Sequence, residues 1–125
     1  MKQFLMVTIL LYSGLLAAAE TKNEWQGTVL TEALIKKIQL SQRHYKECVI
    51  KEMQKPAYNA QESRHATEAI IKQCESELAK MRKTYIDANV PKTIADRYLK
   101  KMRIQVTRRL LKELMFREAA KKAGQ

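Results

Sequence analysis

The chain has 125 residues, a formal net charge of +11, 46% hydrophobic residues, three glycines and two prolines. A chain of this length folds as about one small domain, which excludes a multidomain architecture. Scarce Gly and Pro, with abundant Ala, Leu, Lys, Glu, Gln, Arg and Met, favour helix. The absence of alternating β-branched runs disfavours strands.

Residues 1–19 have the three parts of a secretory signal peptide. Lys2 supplies a positive charge, residues 4–16 are apolar, and residues 17–19 are alanines that fit a cleavage point. The apolar stretch is about a dozen residues, short of the roughly 20 that span a bilayer. We expect cleavage after Ala19 and a single helical domain over residues 20–125, with a retained N-terminal anchor as the alternative. The plain alanine cleavage region indicates a bacterial protein that is periplasmic or secreted.

The first helix is predicted over residues 28–55. Leu34, Ile38, Tyr45 and Cys48 recur at helical spacing and define an apolar face. Pro56 cannot continue a helix and disfavours helical backbone at the residue before it, so the helix should end there.

The second helix is predicted over residues 60–89. Asn59 is a good N-cap with Glu62 as its capping-box partner, and Ser63 is a competing start. Asn89 suits the left-handed turn that often ends a helix. The inward face of this helix should comprise Ala66, Ile70, Cys74, Leu78, Met81 and Tyr85.

The third helix is predicted over residues 91–122, with Pro91 in its first turn. Its inward face should comprise Ala95, Tyr98, Leu99, Met102, Val106 and Leu110. Short connections make consecutive helices antiparallel neighbours, so the predicted fold is all-α, an antiparallel three-helix bundle.

Cys48 and Cys74 are expected to form an inter-helix disulfide. Their midpoint is position 61, inside the predicted turn, so the two residues should face one another across the hairpin. An exported protein meets oxidising conditions, which argues against free thiols. Two buried free thiols are the main alternative.

A metal site at these cysteines is disfavoured by the positions of His44 and His65. His44 and Cys48 share one helix face, but His65 and Cys74 lie nine residues apart and therefore point about 180° apart on their helix. One helix cannot supply both of the latter to a tetrahedral zinc ion. We expect no metal, no cofactor and no catalytic residue, because phosphate loops, nucleophile elbows and HExxH helices are missing as well.

The third helix has a second face that combines positive charge with apolar side chains. From Lys92 onward the chain has eleven Lys or Arg against three acidic residues, a local net charge of +8. At about 100° per residue, one group of residues falls opposite the inward face. This predicted partner surface comprises Arg97, Lys100, Lys101, Ile104, Arg108, Leu111, Lys112 and Met115. A solvated basic face or a frayed C-terminal end is the alternative interpretation.

The signal peptide, the cysteines one long hairpin apart and the stretch "NVPKTIADRYLKKM" resemble small secreted helical proteins of proteobacteria. The resemblance implies a three-helix fold and no catalytic residues. Periplasmic chaperones of the Spy and CpxP kind are likewise basic and exported, but the chain lacks their L-T-x-x-Q signatures.

The expected function is non-enzymatic binding of the immunity, inhibitor or adaptor type, through the basic and apolar face of the third helix. The alternative is a periplasmic chaperone or envelope-stress protein. The partner is expected to be a protein or an anionic envelope surface, with homodimerisation possible. Nucleic acid is not expected for an exported protein, nor is a transmembrane helix after signal cleavage.

Overall fold

The computed structural model describes residues 31–124, and every regular element in that range is helical. The predicted signal peptide and the first residues of the predicted helix 28–55 lie outside this range. The elements are α1 (Glu32–Met53), a short 3-10 turn (Pro56–Tyr58), α2 (Ser63–Gln73), α3 (Glu75–Asp87) and α4 (Lys92–Ala123). The predicted all-helical class is confirmed.

The bounds of α1 follow from residues at its two ends. The Thr31 hydroxyl oxygen accepts a hydrogen bond from the Leu34 amide at 3.2 Å, which satisfies one of the free N–H groups of the first turn. The helix ends at Met53, slightly before the predicted position 55. The difference arises at Lys55, which precedes Pro56 and adopts extended backbone with ψ of 135°.

The predicted second helix is two helices, because the chain leaves helical geometry at Cys74. Cys74 has φ −95° and ψ 8°, and its amide donates to the carbonyls of both Ile70 and Ile71 at 3.2 Å. The two halves have different main neighbours: α2 packs chiefly on α4, and α3 packs chiefly on α1 and also contacts α4. The break at Cys74 therefore reorients the chain between two packing surfaces.

The predicted disulfide between Cys48 and Cys74 is confirmed, with Cα atoms 5.9 Å apart. Cys74 is fully buried, and Cys48 packs against the same hydrophobic core. The bond thus joins α1 to the junction of α2 and α3 within the core.

The start of α2 is capped by a residue of α4. The helix begins at Ser63 rather than after Asn59, and Glu62 at the N-cap position makes no side-chain capping bond. The Glu118 carboxylate instead accepts hydrogen bonds from the Ser63 amide at 3.3 Å and from the Ser63 hydroxyl. A negative charge at the positive end of a helix is favourable, so this long-range contact replaces the predicted capping box.

Hydrogen bonding lowers the pKa of Glu118. The largest contribution comes from the Lys122 ammonium at 2.9 Å, followed by the two groups of Ser63, and together they bring the pKa to about 2.

The core is built from the inward faces of the four helices. All six residues predicted to face inward on the second helix are buried. On α4, Ala95, Val106 and Leu110 are buried as predicted, and Ile94 and Leu114 join them. Tyr98, predicted to face inward, is about half exposed, and its ring stacks on that of Tyr85 with centroids 6.1 Å apart.

Tyr45 is the largest fully buried side chain in residues 31–124. Its hydroxyl has no hydrogen-bond partner in this part of the chain. Burial raises the pKa of Tyr45 to about 12, against an opposing influence of the Arg103 guanidinium.

Reducing the disulfide should lower the free energy of unfolding by about 3 kcal/mol, because the unfolded chain regains the entropy of a closed loop. Urea unfolding with and without dithiothreitol measures the difference. The double variant Cys48→Ala/Cys74→Ala is the control and should not respond to reductant. An unfolding midpoint of the native protein that reductant leaves unchanged would contradict the structural role of the bond.

Glu118→Gln should destabilise the protein at neutral pH and weaken its sensitivity to acid. A carboxyl whose pKa is lowered by folding stabilises the native state fully above its ordinary value of 4.5 and loses that contribution as the pH falls toward 2. Thermal unfolding followed across this window measures the effect. Glu113→Gln, which removes an exposed pair with Arg117 on the same helix, is the matched control and should retain the native acid dependence.

Candidate binding surface on the last helix

The residues predicted as a partner surface share one side of α4, and we call this set the outer face. It comprises Arg97, Lys100, Lys101, Ile104, Arg108, Leu111, Lys112 and Met115. The buried residues of α4, such as Val106 and Leu110, lie on another side of the helix. The structure therefore places the predicted set together, with Leu111 half-buried and the others exposed.

Apolar side chains on the outer face are accessible to solvent. Ile104 is 39% exposed and Met115 is 55% exposed. Buried residues such as Val106 and Leu110 lie on the same helix. The exposure of Ile104 and Met115 therefore reflects the side of α4 on which they lie.

The five cations of the outer face form no salt bridge within residues 31–124. By contrast, three other cations of α4 are paired: Arg103 with Glu75, Arg117 with Glu113 and Lys122 with Glu118. The outer face thus has a concentration of positive charge that neighbouring carboxylates do not neutralise. Such a surface attracts anionic groups over a distance set by the ionic strength.

Phe116 adds to this surface, although the sequence did not predict it. The side chain is 63% exposed, and the Lys112 ammonium lies 5.8 Å from the ring centroid, within range of a cation–π contact. At about 100° per residue, Phe116 falls at the edge of the predicted inward face, so helical spacing does not assign it to the opposite side.

A shallow depression of about 410 Å³ lies at the C-terminal part of the outer face. Leu111, Met115 and Phe116 supply its apolar lining, and Arg108 and Lys112 lie beside them. Apolar contact surface bordered by cations can bind an anionic amphipathic partner.

The side chains considered for metal binding or thiol chemistry are not assembled into a site. His44 is exposed, and His65 is exposed with its Nδ1 3.7 Å from a Glu62 carboxylate oxygen. Across residues 31–124, no cluster of three or more His, Cys, Asp or Glu side chains could hold a metal ion. Cys48 and Cys74 are bonded to one another and offer no free thiol.

No protein-family model matches the chain, and neither a curated protein nor a solved structure matches it. Among the described helices, none combines the length and apolar character needed to cross a membrane.

Alanine substitutions at three consecutive positions of α4 should separate the outer face from the core. Leu114→Ala should cost about 2–5 kcal/mol of stability, because it removes a buried side chain. Met115→Ala and Phe116→Ala should each change stability by about 0.5 kcal/mol or less, since both residues are exposed. Urea unfolding of the three variants tests the orientation of α4, and a larger loss at Phe116 than at Leu114 would refute it.

Proposed function

We propose that this protein is an exported, non-enzymatic binding module of the immunity, inhibitor or adaptor type, and that it holds an acidic protein partner on the outer face of α4. The supporting observation is the exposure of Ile104 and Met115 among five cations that lack salt-bridge partners in residues 31–124.

The composition of the outer face favours an acidic protein over the other occupants. Exposed apolar patches on small proteins are commonly contact sites, and apolar contact gives the bound complex its stability. The cations steer an acidic partner into place and make the affinity depend on salt. A second copy of the chain would bring two outer faces of like charge together, and the resulting repulsion opposes homodimerisation.

Export and a bundle architecture belong to the same proposal. The signal-like residues 1–19 and the buried disulfide support a periplasmic or secreted location, because structural disulfides persist in oxidising compartments.

An antiparallel bundle with α2 and α3 as its middle layer is supported by two distant contacts. Ser63, which begins α2, bonds Glu118 near the end of α4, and Arg82 of α3 bonds Asp96 near the start of α4 at 2.7 Å.

A periplasmic chaperone or envelope-stress role is the second candidate. The observation that favours it is the exposure of further large apolar residues outside the outer face, including Ile35 and Leu40 on α1. A chaperone would suppress aggregation of unrelated unfolded proteins, whereas a binding module would retain one dominant partner.

Arg108→Glu should weaken retention of the partner from a periplasmic extract, because it places a negative charge in the centre of the outer face. Lys72→Glu on α2 is the matched control: it makes the same change in net charge at an exposed position elsewhere and should retain the partner. Pull-downs at low and high salt, analysed by mass spectrometry, measure both effects. Equal losses for the two variants would assign the interaction to net charge alone. Binding of many unrelated proteins, unaffected by either variant, would favour the chaperone.

A further inference from the structure

A second apolar groove, of about 310 Å³, lies between α1 and α4 and has no residue in common with the outer face. Six side chains supply most of its lining. These are Val49, Ile50 and Met53 from α1, and Met102, Val106 and Leu110 from α4.

The groove exists because α1 and α4 approach one another little, while each packs on α2 or α3. Val49, Val106 and Leu110 are buried and form the floor. Ile50, at the side of the groove, is 49% exposed, so the space is open to solvent along one side.

The dimensions of the groove suit the side chains of a short helix. On α4 the lining extends from Met102 to Glu113, or about 17 Å at 1.5 Å per residue, which is about three helical turns. The volume of the groove, about 310 Å³, is about twice that of a roughly 150 Å³ engineered cavity in another protein that binds benzene. The groove therefore has room for two or three large apolar side chains inserted from a helix lying over it.

The charges at the rim specify the polar side of such a helix. Lys46 and Arg109 border the groove and make no salt bridge within residues 31–124. Glu113 also borders it, but its carboxylate is 3.3 Å from Arg117. The uncompensated rim charge is therefore positive and complements carboxylates.

We propose that the groove between α1 and α4 binds an amphipathic helix of another protein, whose apolar face inserts between the two helices and whose acidic residues pair with Lys46 and Arg109. This is helix-in-groove recognition, with anchors at i, i+3 or i+4, and i+7. The flexible side chains of Met53 and Met102 can adapt to the anchors. A second copy of this chain does not meet the requirement, because its exposed apolar stripe on α4 is bordered by cations.

An isolated acyl chain fits the groove less well than a helix does. Pockets for small ligands bury most of the ligand surface, whereas this groove is open on the side of Ile50. A helix covers that opening with its own width and also offers carboxylates to Lys46 and Arg109 at the rim.

A designed peptide tests the proposal on the intact, oxidised protein. The probe is a fluorescein-labelled peptide of about 14 residues, with leucine at the i, i+3, i+7 and i+10 positions and glutamate or alanine elsewhere. A second peptide has lysine in place of each glutamate. Fluorescence anisotropy should show that the glutamate peptide binds at least about tenfold more tightly than the lysine peptide, because only its charges complement the rim.

Two substitutions that each replace an exposed apolar side chain with a carboxylate locate the binding site of the peptide. Ile50→Glu should weaken binding by about tenfold or more, because it places a carboxylate among the apolar anchors. Leu40→Glu is the matched control, since Leu40 is on the same helix, is also 49% exposed and lies outside the groove; it should bind normally. Circular dichroism checks that both variants are folded.

Four results with the peptides, the two substitutions and laurate would overturn the proposal, and a fifth comes from the Ile104→Glu variant. The first two are an absence of measurable binding of the glutamate peptide and equal binding of the two peptides. The third is an equal effect of Ile50→Glu and Leu40→Glu on binding. The fourth is displacement of the peptide by laurate, if laurate binds the protein more tightly than the peptide does. Ile104→Glu distinguishes the groove from the outer face. Normal binding by that variant supports the groove, whereas a loss greater than that of Ile50→Glu would place the peptide on the outer face and refute the groove.

Discussion

The bond between Cys48 and Cys74 joins α1 to the middle of the chain and stabilises the packing of the other helices by restricting the unfolded chain. It lies in the hydrophobic core, at the residue where α2 gives way to α3. On the two sides of Cys74, α3 packs along α1 and α2 packs along α4. A small core gains much from such a crosslink, since the net stability of a domain this size is only a small difference between large terms.

The two sides of α4 therefore have different surroundings. One side is held by α2 and α3 through buried residues such as Ala95 and Val106. Glu118 adds a polar attachment by capping the first turn of α2. The opposite side retains cations and apolar side chains that no described helix covers, and this contrast is the basis of the proposed binding function.

Periodicity alone could predict most of the core. The inward face of the second helix, from Ala66 to Tyr85, is buried because helical spacing determines which side chains share a side. The left-handed backbone of Asn89, with φ of 60°, is what its side chain predicts for a helix end. The same spacing places Ile104 and Arg108 at exposed positions of α4, away from the buried Val106 and Leu110.

Tertiary contacts account for what the sequence could not reveal. The break at Cys74 has no local signal, because neither Gly nor Pro is present there. It separates a helix that packs on α4 from a helix that packs on α1, and such tertiary contacts are not visible in the sequence. The cap on Ser63 comes from Glu118, 55 residues away, which no local capping pattern can reveal. The groove beside Ile50 depends on the separation of α1 from α4, a property of helix placement rather than of spacing.

Intact mass spectrometry of the native protein, denatured and alkylated without reductant, tests export and disulfide formation together. We expect a chain that begins at Glu20 and takes up no alkyl group, because the proposed export would remove the leader and the disulfide joins both cysteines. Two alkylated thiols, or a chain that still contains residues 1–19, would contradict this expectation.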